Sequence, residues 1–205
     1  MSRYTGPRLK VLRALGVDLP GLSRKSMQER SQPPGQHGAR KIAARKSEFG
    51  LQLMEKQKLR YNYGLSERQL RRTVADAKKH RGATGAKLVE LLERRLDNMV
   101  FRAGFAPTIP AARQLVSHGH FLLNGKRVTI PSIRLRIGDA FGPSEAGRKI
   151  DLVRATLEDP ALERPEWISL DGETQTARLT HLPDGDSAPF PLDLQRIVEY
   201  YATRM

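Results

Sequence analysis

The stretch ARQLVSHGHFLLNGKRVTIPS, residues 112–132, carries the local signals that decide the fold of this 205-residue chain. Apolar residues at helical spacing run up to Gly119, which predicts a short helix that ends at this glycine. Directly afterwards, FLLNGKRVTI predicts a β-hairpin, because Asn124 and Gly125 tolerate the positive φ angles of a tight turn. The stretch therefore predicts a helix followed by a two-stranded hairpin.

The two histidines of this stretch permit two interpretations. His118 and His120 could bind a metal ion, because alternate residues of a strand face the same side and imidazole suits zinc, copper or nickel. Against this, Gly119 interrupts the strand geometry, and no third ligand is close in the sequence. We therefore favour a helix end followed by a strand, with basic groups that contact phosphate, and we expect neither a metal ion nor a cofactor.

Upstream and downstream segments complete the expected elements. Residues 47–64 and 66–80 predict two helices, the second opened by a capping box, and the leucine spacing after GATGA predicts one further helix up to Gly104. RLRIGDAFG predicts another strand of the small sheet, and WISLDGETQTARL predicts a second hairpin across Asp171 and Gly172. We expect the apolar face of DLQRIVEYYATRM to pack against the first two helices.

The charge of the chain points to a polyanionic partner. Lys and Arg number 36 against 22 Asp and Glu, which gives a net charge of +14. Residues 1–100 carry +14, residues 101–150 carry +6 and residues 151–205 carry −6, so we expect the acidic part to face away from the partner. Because counterion release from phosphates favours clustered basic residues, we expect nucleic acid, and RNA rather than DNA because no recognition helix or zinc finger is evident.

Other functional classes find little support in the sequence. The absence of cysteine excludes disulfide bonds and thiolate metal sites. No stretch has the apolar length of a signal-peptide core or a membrane span, so we expect a soluble, cytoplasmic protein. Neither paired carboxylates, a Ser-His-Asp arrangement nor a phosphate loop is present, so we expect no enzyme activity.

The segment RRLDN, residues 94–98, needs a separate test. It resembles the Arg-Leu-Asp catalytic motif of pseudouridine synthases, some of which carry a similar helix-hairpin RNA-binding unit. In those enzymes the aspartate lies in a large sheet domain, whereas NMVFRAGF follows here within helical periodicity. We therefore interpret Asp97 as the acid of a salt bridge or a cap within the basic unit, with catalysis as the alternative.

These observations predict an α+β fold. A mainly helical domain is built from the regions before and after a small inserted helix-helix-β-hairpin RNA-binding domain, with an extended basic N-terminal arm. The predicted boundaries are 1–46 for the basic arm, 47–93 for the first part of the helical domain, 94–155 for the inserted domain and 156–205 for the C-terminal hairpin and helix that complete the helical domain.

Six blocks of sequence, in order, resemble one known family. They are RYTGPRLK, PGQHGARK, FGLQLMEKQKLRYNYGLSERQLRR, GATGAKLVELLERRLDNMVFRAGFA, the opening stretch and IVEYY. They resemble bacterial small-subunit ribosomal protein four, the S-four family, over nearly the whole chain and most weakly at about residues 140–190. Residues 94–155 resemble the RNA-binding domain named after that family, which also occurs in unrelated enzymes.

The resemblance implies a structural constituent of the small ribosomal subunit. Such a protein would be a primary assembly protein that binds the 5′ domain of small-subunit ribosomal RNA. It would also contact ribosomal protein five and the mRNA near the entry pore, and would contribute to translational accuracy. We expect neither a membrane partner nor a homo-oligomer. The alternative is a free RNA-binding factor or an RNA-modifying enzyme that carries the same domain.

This chain departs from the family pattern in two places. A four-cysteine zinc site found in some relatives is absent, and DGDSAPFPLD replaces the usual Arg-Asp-Leu stretch after Leu-Pro, which puts part of the protein-five interface in doubt.

Most of the expected RNA contacts are basic residues. We expect the following residues to contact RNA, with Arg136 beside them: Arg3, Tyr4, Lys10, Gln36, His37, Gly38, Arg40, Lys41, Lys56, Lys58, Arg60, Arg68, Arg71, Arg72, Arg113, His118, His120, Asn124, Gly125, Lys126, Arg127 and Arg134.

Overall fold

The computed structural model describes residues 4–38 and 47–204 and divides the chain into two compact units. The first unit combines the chain up to Leu88 with the chain from Ala188 onward, and the second unit is Val89–Ser187. Helices together with an antiparallel sheet confirm the predicted α+β class. Within the described ranges, no helix combines the length and the apolar character that a membrane crossing requires.

The elements of the described residues follow in chain order. The helices are α1 (Arg8–Leu15), α2 (Glu48–Asn62), α3 (Glu67–Lys78), α4 (Thr84–Glu93), α5 (Leu96–Arg102), α6 (Ile109–Ser117), α7 (Glu145–Arg148), α8 (Asp151–Glu158) and α9 (Leu194–Ala202), with a short 3₁₀ helix at Gln28–Arg30. The strands are β1 (Phe121–Leu123), β2 (Lys126–Val128), β3 (Ala140–Pro143), β4 (Ile168–Asp171) and β5 (Thr176–Leu179).

Local side-chain bonds begin the helices of the first unit. The hydroxyl of Ser47 accepts a hydrogen bond from the backbone of Gly50 at the start of α2. At the start of α3, Ser66 and Gln69 form the predicted capping box, which satisfies backbone donors that would otherwise have no partner. Helix α9 packs against α2 and buries Ile197, Tyr200 and Tyr201, which confirms its expected location.

The N-terminal segment differs from the predicted extended arm. Four of its apolar side chains, those of Val11, Leu12, Leu19 and Leu22, are buried in the first unit. Further support comes from the backbone N–H of residue 21, which donates to the side-chain oxygen of Asn62 at 2.9 Å. The prediction of an extended arm is therefore wrong over residues 8–22, because α1 places apolar residues on one face that α2 can cover.

The predicted single helix up to Gly104 is also wrong, because it breaks between α4 and α5. Arg95 adopts an extended conformation there, with φ −66° and ψ 137°. Nearby backbone groups pair instead with a distant loop: the N–H of Leu96 donates to Ile133 at 2.8 Å and the N–H of Asp97 donates to Pro131 at 3.0 Å. These bonds replace helical ones, so the break costs little backbone hydrogen bonding.

The predicted tight turn begins the sheet. Asn124 and Gly125 have φ angles of 50° and 77°, which confirms the hairpin between β1 and β2. The five strands are antiparallel in the order β2-β1-β3-β5-β4. The second hairpin reverses over residues 172–175, where Gln175 has a φ of 50°.

This second hairpin belongs to the sheet of the second unit, whereas the sequence predicted that it completes the helical domain. Strand β5 pairs with β3, with Phe141 opposite Ala177. The sheet of the second unit therefore continues beyond the predicted domain boundary at residue 155 instead of ending at β3. The physical reason is that β3 would otherwise expose unpaired backbone groups along one edge.

Candidate nucleic-acid interface

The end of helix α6 and the β1-β2 hairpin meet through one arginine. The guanidinium of Arg127 donates from Nε to the carbonyl of Gly119 at 3.1 Å and from Nη2 to the carbonyl of His118 at 3.2 Å. Gly119 has a φ of 73°, the left-handed conformation predicted for the end of this helix. Arg127 is exposed, so it joins two elements while its charge remains at the surface.

The histidine pair lies at the chain reversal that the sequence predicts. His118 is exposed at the end of α6, and His120 is half-buried before β1, with 6.2 Å between the ring centroids. Across the described part of the chain, no three His, Cys, Asp or Glu side chains are grouped so that they could hold a metal ion. The pair adds two imidazole rings to a surface that already contains Arg127.

A buried carboxylate organises the basic side chains beside Arg113 of α6. Asp97 is fully buried and accepts hydrogen bonds from two guanidinium groups: Arg95 Nη2 at 2.9 Å and Arg113 Nη2 at 2.7 Å, each with a second contact from Nε. This confirms the predicted ion pair of Asp97. Forked contacts of this kind fix the orientation of a guanidinium as well as its position.

These two clusters share helix α6. Arg113 and residue 117 are one helical turn apart on the less buried side of the helix, so Arg113 and the His118 end lie near one another. Arg134 lies beside the first cluster, because its backbone bridges that of Arg95. The structure thus brings Arg113, His118, Arg127 and Arg134 to one region of the second unit, and Arg134 is exposed.

The remaining predicted contacts of the hairpin have different roles. Lys126 is exposed at the start of β2. The Asn124 side chain donates to Asp139 at 2.9 Å and accepts from the backbone of Ala140 at 2.9 Å, so it holds the turn against β3. Gly125 supplies the turn conformation and is exposed.

In the first unit, the predicted basic contacts divide between two helices. Arg68, Arg71 and Arg72 of α3 are exposed. By contrast, the Lys56 and Lys58 side chains of α2 are only 5% and 13% exposed, and their ammonium groups pair with Glu67 at 2.8 Å and Glu55 at 2.6 Å. The two lysines therefore have acidic partners within the protein, whereas the arginines of α3 face solvent.

An open pocket of about 440 Å³ lies between α2, α3 and α9. It is lined by four basic side chains, one carboxylate and two tyrosines: Lys56, Arg60, Arg71, Arg204, Glu67, Tyr200 and Tyr201. Glu67, the two tyrosines and Arg204 were not predicted from the sequence as site residues. The spacing of Tyr200 and Arg204, four residues apart beside the apolar face of α9, was the signal that could have indicated them.

Hydrogen bonds inside this pocket shift two pKa values. Burial opposes ionisation of Glu67, but hydrogen bonds from Lys56 and from Tyr201, the latter at 2.8 Å, outweigh it, and the pKa of the Glu67 carboxyl lies below its ordinary value. Burial and the bond to Glu67 raise the pKa of the Tyr201 phenol. At neutral pH the pocket therefore contains a carboxylate and a neutral, hydrogen-bond-donating tyrosine.

The N-terminal contacts are only partly described. Tyr4 and Lys10 are exposed, and the Tyr4 ring lies edge-on to Tyr61 at 5.3 Å. Gln36 and His37 are exposed on a turn in which the N–H of buried Gly38 donates to the carbonyl of residue 35 at 3.1 Å. The other three residues predicted here, Arg3, Arg40 and Lys41, lie outside the described residues.

Comparison with known proteins identifies close relatives. Residues 3–93 match the model of the ribosomal protein S4/S9 N-terminal domain, and residues 94–141 match that of the S4 domain. The chain is 60% identical over 205 residues both to small ribosomal subunit protein uS4 of Methylobacillus flagellatus and to uS4B of Nitrosomonas europaea, with 100% of each chain covered. A uS4-like ribosomal protein of an Azoarcus species is 85% identical over 108 residues, which is 53% of this chain and 94% of that protein.

Proposed function

Since the chain belongs to the small ribosomal subunit protein uS4 family, whose members are structural and non-enzymatic, we propose that it binds the 5′ domain of small-subunit ribosomal RNA. In this proposal it is a primary assembly protein, bound before other proteins join the domain. The family assignment makes it a structural constituent of the small subunit with an S4 RNA-binding domain. The choice of the 5′ domain is the proposed refinement.

The observation that carries the proposal is the basic region around α6. Asp97 fixes Arg113, and the carbonyls at the end of α6 fix Arg127, so both guanidinium groups are held in place before RNA arrives. Preorganised donors lose less conformational entropy on binding than freely rotating ones. RNA helices display phosphates and 2′-hydroxyl groups rather than readable base edges, and an array of fixed cations suits that backbone.

The first unit supplies a second proposed RNA surface. The exposed arginines of α3 provide the positive charge, while residues before α1 and in the turn at 33–38 would approach the RNA backbone. All RNA contacts predicted from the sequence remain part of this proposal, except that Lys56 and Lys58 contribute through their acidic partners rather than through free charge. In this arrangement the S4 domain is an insertion within a helical unit.

Three further parts of the proposal rest on the family resemblance. The protein is proposed to contact ribosomal protein five, to lie near the mRNA entry pore and so to contribute to translational accuracy. The divergent segment 184–193 lies close to the start of α9. Because this segment departs from the family pattern, we expect this chain to differ most from other bacterial relatives at the interface with protein five.

Binding to isolated RNA domains tests the central proposal. Protein affinity is measured for the deproteinised 5′ domain and, separately, the 3′ domain of small-subunit ribosomal RNA, between 50 and 200 mM salt. We expect preference for the 5′ domain and, with six or more phosphate contacts, a loss of about a thousandfold or more across that range. Equal affinity for both domains, or a nearly flat salt titration, would contradict the proposal.

Two additions make the test specific. Lys126→Ala should weaken binding and lower the steepness of the salt dependence by about 0.7–0.9, the contribution of one phosphate contact. Lys149→Ala removes the same charge from an exposed position of the same unit and should leave binding unchanged. Co-sedimentation with small subunits that persists in high salt distinguishes a ribosomal constituent from a free RNA-binding factor.

A further inference from the structure

One arginine that lines the pocket between α2, α3 and α9 has a guanidinium donor without an acceptor among the described residues. Arg60 lines the pocket, and its Nε is buried without a hydrogen-bond partner in the described residues. Its Nη1 donates to Gln57 at 3.2 Å, and its guanidinium carbon lies 5.2 Å from the Tyr61 ring centroid. A buried guanidinium N–H without an acceptor is costly, so an anion in the pocket that draws the Arg60 guanidinium outward would relieve this cost.

Two further arginines of the pocket are held by their neighbours. The guanidinium carbon of Arg204 lies 4.5 Å from the centroid of Tyr200 and 4.8 Å from that of Phe49. Arg71 donates from Nη2 to the carbonyl of Arg204 at 2.8 Å, which ties α3 to the end of α9. The aromatic contacts and this bond restrict both side chains, so their remaining N–H donors are presented from defined positions.

The charges that line the pocket do not balance. Four basic side chains face one carboxylate, and that carboxylate already accepts from the Lys56 ammonium at 2.8 Å and from the Tyr201 hydroxyl at 2.8 Å. Lys56 and Glu67 therefore neutralise each other. Three arginines remain around an open volume, which is the charge pattern of an anion site rather than of a closed structural ion pair.

We propose that this pocket binds a backbone phosphate of the RNA, with Arg60, Arg71 and Arg204 as its donors. Guanidinium groups match phosphate oxygens by paired N–H bonds, and several guanidinium groups can bind one tetrahedral anion from different sides. The exposed Arg68 and Arg72 on the same helix as Arg71 extend positive charge away from the pocket along α3. That extension suits a continuous polyanion better than an isolated ion. The inference rests on the proposed RNA-binding function.

Substitution of Arg60 tests the site. Arg60→Met keeps the aliphatic stem and removes every donor, whereas Arg60→Lys keeps the charge and removes Nε. Binding of the full-length variants to the deproteinised 5′ domain of small-subunit ribosomal RNA is measured against salt. We expect several-fold weaker binding for both, with the steepness of the salt dependence reduced by about 0.7–0.9 for Arg60→Met. Arg204→Met should act in the same direction.

Arg196→Met is the matched control. Arg196 lies on α9, pairs with Asp193 at 2.9 Å and does not line the pocket, so Arg196→Met removes an arginine charge from the same unit but outside the site. Its RNA affinity and salt dependence should equal those of the wild type. Circular dichroism melting of each variant shows whether it is folded. If Arg60→Met is not folded, Arg60→Lys provides the test of the site. A folded Arg60 variant with unchanged RNA affinity and salt dependence overturns the proposal.

Inorganic phosphate identifies the source of the anion. Arginine Nε–H signals of the wild-type protein are followed by NMR during titration with phosphate alone and with the RNA. We expect the Arg60 signal to shift on RNA binding and phosphate to compete weakly. A site that saturates with phosphate and ignores RNA would assign the pocket to a small anion and overturn the inference. Failure of wild-type protein to bind RNA would instead refute the proposed function itself.

Discussion

Each unit of the molecule contains a carboxylate paired with a basic side chain beside a proposed RNA-binding surface, Glu67 in the first unit and Asp97 in the second, and these two carboxylates differ in exposure. The Asp97 side chain is 0% exposed and accepts from two guanidinium groups. The Glu67 side chain is 44% exposed and accepts from one ammonium and one phenol. Both acids hold basic groups at a surface proposed to bind RNA, but only Asp97 is removed from water.

This difference separates a rigid arrangement from an adjustable one. A buried ion pair keeps its geometry because loss of either partner leaves a charge without solvent. A half-exposed pair exchanges its contacts with water at little cost, so it responds to salt, pH and a bound anion. We therefore expect the arrangement of basic groups around α6 to be preformed, and the basic groups of the pocket between α2, α3 and α9 to adjust when RNA binds.

The largest expected effect is that of Asp97→Ala. The substitution removes the carboxylate that the Arg95 and Arg113 side chains, which are 11% and 23% exposed, share. We expect a loss of about 3–5 kcal/mol in the unfolding free energy of the second unit, towards the lower value because Arg113 reaches solvent. Urea unfolding followed by the fluorescence of Trp167, the single tryptophan of the chain, measures it.

Asp186→Ala is the control, because Asp186 is exposed in the same unit. Similar losses for the two variants would show that the Asp97 cluster is no more rigid than the surface. The Asp97 and Glu67 clusters would then not differ in rigidity.

An intermediate effect distinguishes two glycines of the second unit. Gly119→Ala and Gly125→Ala both place a side chain at positive φ, with angles of 73° and 77°, at about 1–2 kcal/mol each. A Cβ at Gly119 would lie 2.3 Å from Arg127 Nε, whereas a Cβ at Gly125 meets nothing within 4 Å. Gly119→Ala should therefore also displace Arg127 from the carbonyls that it caps.

We expect Gly119→Ala to cost about 1 kcal/mol more than Gly125→Ala, the value of a hydrogen bond, and to weaken RNA binding more. Thermal melting and RNA affinity of the two variants measure these differences. Equal behaviour would mean that Arg127 does not depend on the end of α6, and the α6 region would be less preformed than the structure indicates.

The smallest expected effect concerns Glu67 and pH. Its pKa is lower in the folded protein than the value of about 4.3 in an unfolded chain. Its stabilising contribution is therefore fully present above about pH 4.3 and is lost as pH falls through the folded pKa. Because the side chain is half-exposed, we expect a contribution within about 1 kcal/mol.

Circular dichroism unfolding of Glu67→Gln and the wild type, at pH 7 and near pH 3, tests this expectation. The two proteins should differ in stability at pH 7 and approach one another at low pH. Glu199→Gln, at an exposed position of α9, is the matched control and should show no such convergence. A difference that is the same at both pH values would show that Glu67 acts through packing rather than through its charge.

Local signals in the sequence predicted local structure correctly. The capping box of Ser66 and Gln69 and the turn at Asn124 each depend on a side chain and backbone groups a few residues away. The break before α5 could not be predicted in this way. Helical periodicity continues through it, and the carbonyls of residues 131 and 133 that replace the helical bonds come from a distant loop.

The candidate site shows the same division. Clusters of basic residues indicated RNA, but charge alone did not distinguish exposed Arg71 from Lys56, whose acid partner lies on a different helix. The pocket depends on Tyr200 of α9 and on Arg204 just after this helix, which reach α2 only in the folded chain. The predicted role of Asp97 was confirmed because its partner Arg95 is adjacent in sequence, although Arg113 required the tertiary structure.

The discontinuity of the first unit sets an order of events during synthesis. Helix α2 leaves the translating ribosome about 130 residues before α9, which covers it. At about 5–20 residues per second, this delay lasts roughly 7–26 s. Meanwhile the second unit is complete in sequence and can fold as a separate body. The nascent chain therefore contains the complete S4 domain while the apolar face of α2 is still uncovered. During this period, chaperones or early RNA contact would protect that face.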